Sequence, residues 1–189
     1  MPPPLALDLL RDPPPLRSAR LCLRPLHERD AAGLLALRGD PEVMRFMGAA
    51  PLPDLATAAA LVEAWLAQQH RREGATWALT FPGADELIGT LSLFKPDPVH
   101  RKVEIGYSLL PRHWRRGYTS EAVGTLLTWL YTTFGAHRIV AEIDPNNLAS
   151  AALLRGLGFR REAYFREAFL VGENYTDSEI YGRLSSDDG

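Results

Sequence analysis

The chain has 189 residues, 46% of them hydrophobic, and a formal net charge of −2, which is typical of one compact domain with a buried core. This charge argues against a general nucleic-acid-binding protein, and no stretch reaches the roughly 20 apolar residues that span a bilayer. The single cysteine, Cys22, excludes an intrachain disulfide framework and an all-cysteine metal site. Prolines stand where a secretion signal needs charged and apolar regions. We therefore expect a cytoplasmic protein that binds neither nucleic acid nor membranes.

The beginning of the chain is rich in proline. Two runs of three prolines lie within residues 1–17, which we predict to form an extended arm outside the domain core. A single domain is predicted over residues 18–184, followed by a short acidic tail at 185–189. The domain begins with a strand at 20–25 that Pro25 ends, and helices are predicted at 27–38, 41–46 and 55–72.

The middle of the chain predicts strands. Short apolar runs at 76–81 and 87–94 flank a turn at 82–85. In the next strand, 103–109, side chains alternate in character, so successive residues face opposite sides of a sheet. One side is predicted to carry Val103, Ile105, Tyr107 and Leu109, and the other Glu104, Gly106 and Ser108.

The second half of the chain alternates between helix and strand. Apolar residues recur at helical spacing from Ala122 to Phe134, and Gly135 is placed to end that helix. Residues 138–143 are nearly all apolar, as expected of a buried parallel strand. A short helix capped by Asn146 or Asn147 follows, then two strands at 164–171 and 174–184. These elements predict a mixed α/β domain whose substrate pocket lies between the two N-terminal helices and the last hairpin. Apolar surroundings favour core positions for Trp65, Trp77 and Trp129.

The segment 109–121 carries the most chemical information. After the predicted strand comes an arginine-rich turn, which Gly117 interrupts before a long helix begins. The first N–H groups of a helix have no internal acceptor, and with the helix dipole they form a site for phosphate or pyrophosphate. Guanidinium groups at Arg115 and Arg116 suit phosphate geometry. From these residues alone, a basic surface turn that needs glycine only for its backbone angles fits as well. The glycine motifs of nucleoside triphosphate and dinucleotide sites are absent from the sequence.

Residues 115–122, Arg-Arg-Gly-Tyr-Thr-Ser-Glu-Ala, resemble the acyl-CoA-binding motif of the GNAT superfamily of N-acetyltransferases. Further segments occur in the order and at the intervals of that family, at 20–31, 104–107, 147–150 and 157–159. The first of them resembles the opening of the RimJ/RimL-like branch, which includes acetyltransferases of ribosomal-protein N-termini. The resemblance covers about residues 18–184.

The resemblance implies an α/β fold with a mixed, mostly antiparallel central sheet, a splayed parallel strand pair and flanking helices. It also implies acetyl-CoA as co-substrate, no metal, and direct attack of a neutral primary amine on the thioester without an acyl-enzyme. The expected acceptor is a protein or peptide N-terminal α-amine. Two alternatives to this function stay open, namely a small amine as the acceptor (polyamine, aminoglycoside or amino acid) and a non-catalytic acyl-CoA-binding module. The oligomeric state is also open between a monomer and a homodimer.

By the same resemblance, the coenzyme contacts are Leu109, Leu110, Arg115, Arg116, Gly117, Tyr118, Thr119, Asn147 and Ser150. The turn would bind the pyrophosphate, and Asn147 would hydrogen-bond the pantetheine arm. A backbone N–H of Leu109 or Leu110, exposed by a bulge before Pro111, would polarise the thioester carbonyl.

The expected catalytic residues are Glu104 and Ser150. An α-amine has a pKa of about 8, so Glu104 acting through a water is a sufficient base, with Glu142 as the alternative. The alternation pattern alone favours a surface strand carboxylate at Glu104, and the family resemblance reverses this preference. Ser150 is expected nearest the thiolate, because Leu154 occupies the position where many family members have a tyrosine acid. Thr119, in place of the usual glycine or alanine, is a second departure from the family motif.

Overall fold

The computed structural model describes residues 4–187, which form one eight-stranded sheet with helices against it. The helices are α1 (Ala31–Arg38), α2 (Pro41–Met44), α3 (Leu55–His70), α4 (Tyr118–Trp129) and α5 (Leu148–Gly156). The strands are β1 (Leu16–Arg17), β2 (Cys22–Pro25), β3 (Gly74–Thr80), β4 (Gly89–Asp97), β5 (Lys102–Leu109), β6 (Arg138–Ile143), β7 (Arg160–Val171) and β8 (Asn174–Leu184). The prolines at 2 and 3 and the last two residues of the expected acidic tail lie outside the described range.

The sheet has the order β1-β2-β3-β4-β5-β6-β8-β7, and its neighbouring strands are antiparallel except for β5 and β6. This parallel pair is in register only from Lys102↔Arg138 to Glu104↔Val140. Beyond Glu104 the two strands diverge. The predicted fold, a mostly antiparallel mixed sheet with a splayed parallel pair and flanking helices, is confirmed.

Helices cover both faces of the sheet because each presents one apolar stripe. On one face α4 buries a stripe that includes Val123 and Leu126 against strand residues such as Trp77. On the other face Leu34 of α1 and Val62 of α3 form a second cluster. A fully buried leucine or valine contributes roughly 1.5–3 kcal/mol, and the first of these clusters includes Val103 and Ile105 of β5 and Ile139 of β6. Gly135, with φ of 86°, ends the helical segment as predicted.

Residues 5–17 pack against the domain, which corrects the expectation of an extended arm outside the core. Leu5 and Leu10 are buried in the main core cluster, and the Trp77 indole N–H donates to the Pro14 carbonyl at 2.9 Å. Residues Leu16–Arg17 then pair with β2. Composition misled here because the leucines between the prolines supply apolar surface, and proline loses only its N–H and keeps its carbonyl acceptor.

Strand β7 begins at Arg160, four residues before the predicted start. No sequence pattern indicated these four residues, because they are mostly exposed and carry no apolar alternation.

No helix within residues 4–187 is long and apolar enough to cross a membrane.

Candidate active site

A cleft of about 280 Å³ opens where β5 and β6 diverge. Its floor consists of small polar or glycine positions of β4 and β5, namely Thr90, Ser92, Gly106 and Ser108. The N-terminal helical region supplies Arg38, Phe46, Met47 and Trp65, and the β6–α5 segment supplies Glu142, Asn147 and Ser150. Trp65 is half-buried against the second core cluster and also lines the cleft, whereas Trp77 and Trp129 are buried as predicted.

Glu104 lies on β5 at the last paired position before the strands separate. Its side chain faces the cleft with 23% of its surface exposed, and its Oε2 accepts a hydrogen bond from Lys95 Nζ at 2.9 Å. This hydrogen bond raises the pKa of Lys95, so an ammonium group stays beside the carboxylate at neutral pH. The carboxylate retains a second oxygen with which to bind a water or an amine.

Glu142, the alternative base, lines the same cleft from β6. Its Oε1 accepts a hydrogen bond from the hydroxyl of Ser178 at 2.5 Å, and Ser178 is almost fully buried. The two carboxylates thus border one cavity from the two strands that splay apart. Glu104 is more directly placed at the point of divergence.

A pair of hydroxyl groups bridges the splay. The Tyr107 hydroxyl on β5 and Ser150 Oγ on α5 lie 2.6 Å apart. Burial raises the pKa of Tyr107 to about 12, and the hydrogen bond to Ser150 partly opposes this shift. Tyr107 was predicted to belong to the apolar side of its strand. The only signal for its role was a hydroxyl among otherwise aliphatic residues on that side.

Leu154, at the position of the family's frequent tyrosine, is fully buried in the core. Tyr107 and Ser150 supply the hydroxyl pair at the β5–α5 contact of the cleft. Asn147 caps α5, its Oδ1 accepting from the Ser150 N–H at 3.0 Å. Since Asn147 also lines the cleft, its amide nitrogen can serve a ligand while its oxygen orders the helix.

The two leucine amides expected to polarise the thioester differ in availability. The Leu110 N–H donates to the Ile88 carbonyl at 2.9 Å, which argues against Leu110 as the donor. Successive peptide groups of a strand point to opposite edges, so the Leu109 amide points away from β4. The Leu109 carbonyl agrees with this orientation, since it accepts from the Trp114 indole at 2.7 Å.

The bulge expected before Pro111 lies elsewhere. The irregularity between β4 and β5 falls between Phe94 and Asp97, where Lys95 has a φ of 46°. Pro96 explains the position, because proline cannot donate the N–H that a continuous ladder requires. The bulge turns Lys95 towards Glu104, so it affects the cleft through a charge rather than through an exposed amide.

The arginine-rich turn ends at Gly117, which has a left-handed φ of 77° and precedes α4 without a side-chain cap. The first bond of the helix runs from the Glu121 N–H to the Gly117 carbonyl at 3.0 Å. The N–H groups of Tyr118, Thr119 and Ser120 therefore precede any internal acceptor and are free to bind an anion. Arg115 and Arg116 are exposed beside them.

Ser18 and Arg20 of the N-terminal segment hold this turn through side-chain hydrogen bonds. Glu121 accepts hydrogen bonds from the Ser18 hydroxyl at 2.6 Å and from Arg20 Nε at 2.6 Å, and the Ser18 bond is the main reason that its pKa is lowered. Arg20 also donates to the Arg116 carbonyl at 3.0 Å and lies 4.7 Å from the Tyr118 ring centroid. These long-range contacts had no sequence signal.

Residues 20–160 match the family model described as the acetyltransferase (GNAT) domain. The chain belongs to the GNAT family. It is 30% identical over 168 residues to the uncharacterized N-acetyltransferase YoaA of Bacillus subtilis (strain 168), covering 89% of this chain and 95% of that protein. It is therefore an N-acetyltransferase by family, and the recognition made from the sequence motifs is confirmed.

Other similar GNAT proteins carry different names. The ribosomal-protein-serine acetyltransferase of Escherichia coli (strain K12) is 29% identical over 115 residues, 61% of this chain and 64% of that protein, in agreement with the RimJ/RimL-like branch. The spermidine N-acetyltransferase of Vibrio cholerae, in complex with CoA and spermine, superposes with a TM-score of 0.78 at 22% identity, covering 88% of this chain and 96% of that chain. Because these names differ in acceptor, likeness alone leaves the acceptor class open.

Among residues 4–187, no group of three or more histidine, cysteine, aspartate or glutamate side chains could hold a metal ion.

Proposed function

We propose that the protein transfers the acetyl group of acetyl-CoA to a primary amine by direct attack on the thioester, and that the acceptor is the α-amine of a peptide or protein. The observation that carries the proposal is the cleft between β5 and β6, where Glu104 meets the Tyr107–Ser150 pair. The phosphate-binding turn follows the same strand β5, so a coenzyme bound there would reach the cleft with its acyl end.

In this proposal the coenzyme is bound by the backbone. The N–H groups of Tyr118 and Thr119 at the start of α4 would hold the pyrophosphate, and Arg115 and Arg116 would add positive charge. Asn147 would donate its side-chain amide to the pantetheine arm. The Leu109 N–H would polarise the thioester carbonyl, where negative charge develops during attack.

Glu104 is proposed as the base. The amine nitrogen forms a bond to the thioester carbon, the carbon–sulfur bond breaks, and the proton lost by the amine passes to Glu104 directly or through one water. An α-amine with a pKa of about 8 is mostly protonated at pH 7, so attack requires a group such as Glu104 that accepts the proton the amine loses. Lys95 donates a hydrogen bond to one oxygen of this carboxylate and so fixes its position at the cleft.

The Tyr107–Ser150 pair is proposed to stabilise the leaving thiolate. The pKa of Tyr107 is about 12, whereas a thiol has a pKa of about 8.5, so giving a full proton to sulfur would be uphill. A hydrogen bond from Ser150 to sulfur, strengthened by the Tyr107 hydroxyl, lowers the energy of the departing charge without that transfer. The thiolate then leaves with CoA and equilibrates with solvent.

A second hollow of about 270 Å³ supports a peptide as the acceptor. It shares Phe46, Met47 and Glu104 with the cleft and continues along the β7–β8 hairpin past Phe169 and Thr176. This continuation gives room for residues that follow the acetylated one. A polyamine is the second candidate, because the carboxylates Glu104, Glu142, Asp144 and Asp177 line the two hollows.

The proposal is tested by measuring CoA release from acetyl-CoA with a panel of peptides, polyamines, aminoglycosides and amino acids. Glu104→Gln should lower kcat by at least tenfold on the best amine, whereas Glu63→Gln, an exposed carboxylate on α3, should leave it unchanged. Binding of acetyl-CoA without turnover of any amine would instead support a non-catalytic acyl-CoA-binding module. The cytoplasmic location belongs to the proposal as well and is tested by cell fractionation, and sedimentation decides between the monomer and the homodimer left open above.

A further inference from the structure

Arg38 is a positive charge that the acetyl-transfer steps above do not use. It is the last residue of α1, and its guanidinium lies 5.4 Å from the ring centroid of Trp65 on α3. Both side chains line the cleft. Within residues 4–187, the buried Nε of Arg38 has no hydrogen-bond partner and no carboxylate forms an ion pair with the group.

A partly buried guanidinium normally has a carboxylate partner, because removing a charge from water costs several kcal/mol unless it is paired. Arg24 in the same domain follows this rule, with bonds of 2.8 and 2.6 Å to the two oxygens of Asp30. Arg38 does not. Burial lowers the pKa of Arg38, yet a guanidinium stays protonated at any physiological pH. The Trp65 ring offsets part of the cost of this desolvated charge, and an anion that enters the cleft would offset more of it.

The cleft is therefore bipolar. Glu104 and Glu142 border it from the strands, and Arg38 is the one cation among its lining residues. An amine that binds near Glu104 leaves Arg38 facing the remainder of the same acceptor molecule. The flat Trp65 ring beside Arg38 restricts the plane of the guanidinium, which favours bidentate recognition of a planar group.

We propose that Arg38 binds a carboxylate of the acceptor, so that this enzyme selects amines that carry a negative charge close to the attacking nitrogen. The inference rests on the proposed acetyl transfer and narrows its substrate class. Two sources offer the same chemistry, namely an acidic side chain on the first residue of a peptide and the α-carboxylate of a free amino acid. A polyamine offers no carboxylate and would place a second cation near Arg38.

The test compares matched acceptors. One pair consists of two peptide amides that differ only in a first residue of glutamate or glutamine, and the other of alanine and alaninamide, with spermidine as a fifth amine. We expect kcat/KM to be at least tenfold higher for the carboxylate member of one pair, because the uncharged member leaves the Arg38 guanidinium unpaired. The pair that shows this preference identifies the source of the carboxylate. Arg38→Gln should reduce this ratio to less than twofold, and Arg38→Lys should retain part of it.

The control is Arg71→Gln, which alters an exposed arginine at the end of α3 and should leave the ratio intact. Thermal unfolding separates a ligand-binding role from a structural one. Arg38→Met should unfold at the same temperature or higher, because it removes an unpaired buried charge. A large loss of stability would assign Arg38 to folding and overturn the inference.

Other outcomes are equally decisive. Equal kcat/KM within both acceptor pairs, or a carboxylate preference that survives Arg38→Gln, overturns the role of Arg38 while acetyl transfer itself stands. Preference for spermidine over every carboxylate acceptor does the same. Acetyl-CoA binding without acetylation of any of the five amines and the wider panel overturns the proposed function and this inference together.

Discussion

Replacing Gly117 by alanine tests whether the turn before α4 is built for a pyrophosphate. Gly117 has a φ of 77°, and a Cβ built there would meet only the Arg20 Nη2, at 3.4 Å. Space is therefore available, and the cost is that of a left-handed alanine, about 1–2 kcal/mol. For a domain of this size that corresponds to a melting temperature lower by roughly 2–8 °C.

The effect on the coenzyme should be larger than the effect on stability. Relaxing the strain redirects the N–H groups of Tyr118 and Thr119, and each lost hydrogen bond to a charged phosphate is worth about 1.5–3 kcal/mol. We expect the Kd for CoA, measured by calorimetry, to rise at least tenfold in Gly117→Ala. Gly117→Asn should lose less, since asparagine tolerates this conformation better.

Gly124 provides the matched control within the same helix. A Cβ there would meet only a Leu157 methyl group at 3.9 Å, and alanine inside a helix is favoured over glycine by about 0.5–1 kcal/mol. Gly124→Ala should therefore raise the melting temperature and leave CoA affinity unchanged. If Gly117→Ala lowered stability but bound CoA normally, the turn would be only a structural feature and the pyrophosphate assignment would be wrong.

Three further predictions follow from single contacts. Tyr107→Phe and Ser150→Ala should each lower kcat about tenfold, as expected for a hydrogen bond to a charged group. In stopped-flow or steady-state assays the double variant should have nearly the same kcat as either single variant, because both substitutions break the same hydroxyl–hydroxyl hydrogen bond. Asp30→Asn removes the bidentate carboxylate partner of the largely buried Arg24, which keeps the exposed Asp85 as counter-charge. This variant should cost about 1.5–3 kcal/mol in urea denaturation, and an unchanged midpoint would refute the assignment. The pKa of Glu121 is lowered in the folded state, mainly by the Ser18 hydroxyl, so the stability that its ionised form adds is present above pH 4.5 and is lost as the pH falls further. Glu121→Gln should therefore lower the free energy of unfolding by at most about 1 kcal/mol at pH 7 and by nothing near pH 2. An equal loss at both pH values would contradict this.

Features that depend on neighbours along the chain were predictable. The helix stripe from Ala122 to Phe134, its end at Gly135 and the left-handed glycine at 117 each follow from local periodicity or from a single backbone requirement. Glu104 was placed on the polar side of β5 by strict alternation, the side whose residues Gly106 and Ser108 form the cleft floor. The motif order also identified the family before any contact was known.

Features that depend on distant residues were decided only by the tertiary structure. Tyr107 and Ser150 are 43 positions apart and meet because β5 and β6 splay, and Arg38 borders the same cleft from a helix near the other end of the domain. Likewise, the sequence left the carbonyl-polarising amide open between Leu109 and Leu110, and the sheet shows that the Leu110 N–H donates to the Ile88 carbonyl. Periodicity reports which side of an element a residue occupies, but not which other element faces it. The chemistry of this cleft depends on side chains from helices and strands that face one another. The sequence therefore determined which side chains each element carries, and the fold determined which of them meet.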